Sequence, residues 1–145
     1  MAYRKINALI WDDDWFVALS DFDRMVWFAV LAGPQVRAIP GLMVATAATI
    51  SDYLRRSPRD VANALARLED AGRVEVDRDA RMLRVPNAPR WAVEHGEPEN
   101  PNVIKGWWKA WKELPTCDLK RRRAKALREA FIIARDRAAA GERDQ

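Results

Sequence analysis

The hydrophobic period of this chain changes at Gly72, and that change constrains the fold more than any other feature. Upstream, Val61, Leu65 and Leu68 recur at helical spacing and give one apolar helix face. Downstream, Val74 and Val76 alternate with Arg73, Glu75 and Asp77, the two-residue period of a strand. Residues 77–81 read as a turn. Leu83 and Val85 then alternate with Met82 and Arg84 until Pro86 ends the run. The expectation is a helix that stops at a glycine and feeds a β-hairpin.

The start of that helix is equally marked. Ser57 is a capping residue, Pro58 stands where a missing N–H costs nothing, and Asp60 completes a capping-box spacing. Arg55-Arg56 leaves only a tight connection to a preceding helix over 47–54, capped by Thr46, with Ala47, Ile50 and Leu54 on one face. Earlier still, Pro40-Gly41 marks a turn and Leu42-Met43-Val44 a short strand. Ser20-Asp21-Phe22-Asp23 has capping-box spacing with the shorter acid in the glutamate place. It opens a heavily apolar helix through Phe22, Met25, Val26, Phe28, Ala29 and Ala32, stopped by Gly33-Pro34. At the N-terminus, Tyr3, Ile6 and Leu9 suit a short edge strand, and Asp12 a cap for a helical turn carrying Trp15, Phe16 and Leu19.

Beyond Pro86 the pattern loosens. Pro89, Gly96, Pro98 and Pro101 predict an extended connector over 87–102. Asn102 can cap a helix over 103–114, closed by Pro115, and Asp118 a last helix reaching about Ala140. The chain therefore reads as mainly α with a small β-hairpin, an α+β class. It divides into residues 1–86, the connector 87–102 and a C-terminal helical extension over 103–145.

Helix, strand, helix, tight turn, helix, hairpin is the layout of a winged helix-turn-helix, here followed by two C-terminal helices. In that layout the second helix of the pair docks in a DNA major groove and the hairpin, or wing, lies beside it. The stretch from Leu68 through Glu69, Asp70, Ala71 and Gly72 to Val76 has the helix-to-wing character common in such proteins. Arg59, Asn63 and Arg67 share the helix side opposite the apolar stripe. Arginine pairs with guanine edges and asparagine with adenine edges, so these three are the candidate base readers. Arg55, Arg56 and Ser57 in and after the turn, with Arg78 and Arg81 at the wing tip, are candidate phosphate contacts.

Charge supports a polyanionic partner. The net charge is only +4, but residues 118–137 carry 8 basic against 3 acidic groups, net +5. Arg121, Arg122 and Arg123 lie in that segment and are further candidate phosphate contacts. An apolar stripe through Leu127, Ala130, Phe131 and Ala134 gives the same helix a docking face. Trp107, Trp108 and Trp111 interleave with Lys105, Lys109 and Lys112, a set able to stack bases of a single strand. Their helical periodicity with Ile104 and Leu114 instead favours packing against the rest of the chain or a second subunit.

Other function classes find little support. One cysteine, Cys117, and one histidine, His95, allow no internal disulfide and no zinc knuckle. Asp12, Asp13 and Asp14 are consecutive, point in different directions and suit a helix start better than a metal. No phosphate-binding glycine loop, nucleophile–base pair, secretory signal or long apolar span is visible. The expectation is a soluble, intracellular, non-enzymatic protein, without metal, cofactor or membrane.

Tyr3-Arg4-Lys5-Ile6, Ile10-Trp11-Asp12-Asp13 and Ala18-Leu19-Ser20 together resemble the opening of the winged-helix domain of phage and prophage replication proteins, the replisome organisers and replication initiators. Asn100-Pro101-Asn102 with Lys105-Gly106-Trp107, and then Leu114-Pro115, resembles the segment after the wing in that family. The resemblance covers residues 3–119. It implies binding of origin or related double-stranded DNA and recruitment of host or phage replication proteins, with a homodimer as a compatible assembly. A transcriptional regulator using the same DNA contacts, or an interaction module built on the tryptophan-rich helix, are the alternatives.

Overall fold

A computed structural model of the chain describes residues 6–36, 39, 41–86 and 108–143. The fold is mainly helical with a small three-stranded antiparallel sheet, an α+β arrangement. A 3-10 helix, Ala8–Asp12, precedes α1 (Asp14–Val17) and α2 (Asp21–Ala32). Then come β1 (Leu42–Val44), α3 (Ala47–Leu54), α4 (Pro58–Asp70), β2 (Glu75–Asp77) and β3 (Met82–Arg84). Helical residues 108–113 form α5, and α6 runs Asp118–Arg143.

Local chemistry explains most boundaries. Ser20, Thr46 and Ser57 each accept a hydrogen bond from the backbone N–H three residues on, at 3.1, 3.2 and 3.0 Å. Removing such a hydroxyl typically costs about 1 kcal/mol. Ser57→Ala should therefore lower unfolding stability by about that much, read from the urea midpoint. Residues 8–12 form a 3-10 helix where the sequence suggested the end of an edge strand, because Asn7 caps it by accepting from Leu9 N–H at 2.9 Å. Asp13, not Asp12, caps α1, accepting from Trp15 N–H at 3.1 Å. At the far end of α4, Gly72 takes φ +73°. Its N–H reaches Glu69 O at 2.9 Å and Arg73 N–H reaches Leu68 O at 3.0 Å, a pairing that closes the helix and turns the chain into β2.

The strand order is β1-β3-β2. Val76 pairs with Leu83 and Leu83 in turn with Met43, so β3 is central. The pleat then sends alternate side chains to opposite faces. Met43, Leu83 and Val85 join the main core with Phe16, Val26, Trp27 and Val30 before the sheet and Ile50, Val61, Leu65 and Leu68 from the helix pair. Leu42 and Met82 point the other way, into a second cluster with Ile39, Leu119, Trp111 and Leu114. The C-terminal helices thus cover the sheet face that the sequence left open, and all three residues of β3 are buried.

Among the described residues no helix is long and apolar enough to cross a membrane. The expected connector over 87–102 lies outside the described residues, as do Trp107 and His95.

Candidate nucleic-acid interface

The candidate surface is the outward side of α4 and the turn before it. The buried stripe Val61, Ala64, Leu65 and Leu68 fixes α4's rotation against α2, α3 and the sheet. Each fully buried leucine contributes about 1.5–3 kcal/mol to holding that orientation. The opposite side is therefore presented to solvent. Arg59 and Asn63 are exposed there, one helical turn apart, and among the described residues neither side chain is engaged in a hydrogen bond or ion pair. Between residues 52 and 67 four arginines stand against two aspartates, Asp52 and Asp60.

The turn supplies further cations. Arg55 closes α3 in the left-handed region, φ 55°, with its N–H on Ser51 O, and its side chain is exposed. Arg56 is exposed with its guanidinium 5.3 Å from the centre of the Phe22 ring. Ser57 keeps its capping bond and lies at the free N-terminus of α4, where backbone N–H groups and the helix dipole favour an anion.

Arg67 is placed differently from Arg59 and Asn63. Its Nε donates to Asp23 Oδ2 and its Nη2 to Asp23 Oδ1, both at 2.8 Å. That hydrogen-bonded partner makes the guanidinium hold its proton more firmly than usual. Asp23 is buried, and its carboxylate turns across to α4 although its N–H serves the α2 cap. Sequence reasoning gave Asp23 a capping part only; nothing local signals a partner 44 positions away.

The β2–β3 hairpin contributes Arg78 and Arg81, both exposed. Arg78 lies 3.6 Å from Glu69 at the end of α4. Glu69 also accepts from Val76 N–H at 3.3 Å, tying the hairpin to the helix. Arg81 adopts φ 57° at the tip, and its carbonyl accepts from Ala45 N–H at 2.9 Å.

The C-terminal arginines divide sharply. Arg121 is exposed and 3.6 Å from Asp118. Arg122 donates to Glu75 at 3.1 Å and pairs with Asp118 at 2.9 Å. Arg123, expected as a phosphate contact, is fully buried. Its Nη2 donates to Gly41 O at 2.6 Å and to Val85 O, so it pins α6 to the sheet and lies out of a phosphate's reach. Burial, reinforced by the charge of Arg84 and opposed by Glu75, pushes it down to about 9, still protonated at neutral pH. Because α6 packs on the sheet face opposite the α4 core, the sheet stands between Arg123 and α4.

Of the tryptophans, Trp111 packs in the second cluster, with Lys120 5.2 Å from its ring centre. Trp108 is 62% exposed, with Lys112 5.2 Å from its ring. Among the described residues no group of three or more His, Cys, Asp or Glu is gathered to hold a metal. Comparison with protein-family models, with curated proteins and with solved structures finds no match to this chain.

Proposed function

We propose that this chain is a winged helix-turn-helix protein that binds double-stranded DNA sequence-selectively, with a part in phage or prophage DNA replication. The observation that carries the reading is the pair Arg59 and Asn63, exposed and one turn apart on the helix that follows a tight turn. The order of helices and strands, with β1 beside β3 and the 75–84 hairpin following α4, supports the winged-helix assignment. In this mechanism α4 enters the major groove. Arg59 and Asn63 read base edges, and Arg67 adds a third contact from the same face. Arg55, Arg56, Ser57, Arg78 and Arg81 hold phosphates and set the register. Arg121 and Arg122 add positive potential and lie outside the proposed groove contact. The replication role rests on the resemblance of residues 3–119 to replication proteins.

The test is selection of duplexes from a random-sequence library by the full chain at one stated salt concentration. Enrichment of a defined motif is expected. Retention of no duplex, or of duplexes without a common sequence, overturns sequence-selective binding.

A further inference from the structure

We infer that Asp23 is a positioning residue that presents Arg67 to a pair of acceptors on the bound duplex; this rests on the DNA-binding reading above. A guanidinium has five N–H donors in one plane. The side-on fork to Asp23 consumes one on Nε and one on Nη2, at 2.8 Å each. Three donors remain, and two of them lie parallel along the Nη1–Nη2 edge. That edge matches a guanine O6/N7 pair or two phosphate oxygens.

The exposure of the two partners supports this assignment. The Asp23 side chain is 7% exposed, whereas the Arg67 side chain is 55% exposed. One end of the pair is anchored in the α2–α4 contact and the other stands in solvent, on the helix side that carries Arg59 and Asn63. As a strap the pair is a poor device. Sinking a carboxylate consumes desolvation energy that an apolar contact would not. The same contact already has Val26 and Val30 packed in one core with Val61 and Leu65. As a positioning device it is effective. A free surface arginine must freeze several rotatable bonds on binding, and here that ordering is complete before DNA arrives.

The experiment uses a duplex selected by the wild-type chain and measures affinity and thermal unfolding together. Asp23→Asn keeps the shape and removes the charged anchor, and should weaken binding roughly tenfold or more. The pair variant Asp23→Asn/Arg67→Met leaves no orphaned charge, so it keeps the test open should either single variant unfold. It should bind no more weakly than Arg67→Met alone, because Asp23 acts through Arg67. Replacing each guanine in turn by 7-deazaguanine identifies the acceptor. A loss in wild type that disappears in the pair variant marks a guanine edge, and no such position marks phosphate. A folded Asp23→Asn variant with wild-type affinity or, should that variant unfold, a folded pair variant with wild-type affinity would overturn the inference and leave the DNA-binding reading standing. A wild-type chain that holds no duplex overturns both.

Discussion

Replacing Glu75 by glutamine should destabilise the folded chain by about 2–4 kcal/mol, somewhat below the cost of breaking a fully sealed ion pair. Glu75 stands directly across the β2–β3 ladder from Arg84, whose Nη1 donates to it at 2.7 Å. Its other carboxylate oxygen accepts from Arg122 of α6 at 3.1 Å. Arg123 is fully buried close by, and among the described residues Nε of Arg84 and both Nε and Nη1 of Arg123 are buried without a hydrogen-bond partner. One carboxylate thus balances two buried guanidinium groups and ties α6 to the sheet. Glutamine keeps the shape and discards the charge. The urea midpoint should fall at unchanged slope. The double variant Glu75→Gln/Arg84→Met should recover part of the loss, since it removes a stranded cation with its partner. A midpoint that does not move for Glu75→Gln would contradict this account of how α6 is held.

The helices were legible in the sequence because their determinants are local. Ser20, Thr46, Ser57 and Gly72 mark ends through bonds spanning three to five residues, and Val61, Leu65 and Leu68 declare a buried face by spacing alone. The hairpin was legible for the same reason. The pairing of β1 with β3 was not, since Met43 meets Leu83 from 40 positions away and nothing in either segment names the other. Met82 and Arg84 read as the outward half of an alternating strand, and they do face away from Leu83 and Val85. They are nonetheless buried, because α5 and α6 return to that face. Arg123 was misread by the same route. In a run of basic residues it looks solvated, and only the tertiary position of Gly41 O and Val85 O makes it internal. On α4 the apolar stripe correctly turned Arg59 and Asn63 outward, whereas the buried carboxylate behind Arg67 had no local signature.

The central claim is that α4 reads bases. Arg59 and Asn63 are exposed side chains, uncommitted among the described residues and set by the orientation that Val61, Leu65 and Leu68 impose. Each base-edge contact of this kind carries about 1–3 kcal/mol of discrimination. Removing both should cost roughly 30-fold or more on the selected duplex and little on an unrelated one, since the proposed phosphate contacts of the turn and the hairpin are untouched. Neither side chain packs in the core, so the urea midpoint should stay close to wild type. The deciding measurement is the affinity of Arg59→Ala/Asn63→Ala for the selected and an unrelated duplex at one salt concentration. The account predicts that the preference between them collapses while the weaker binding persists; a folded double variant that keeps the full preference would contradict it.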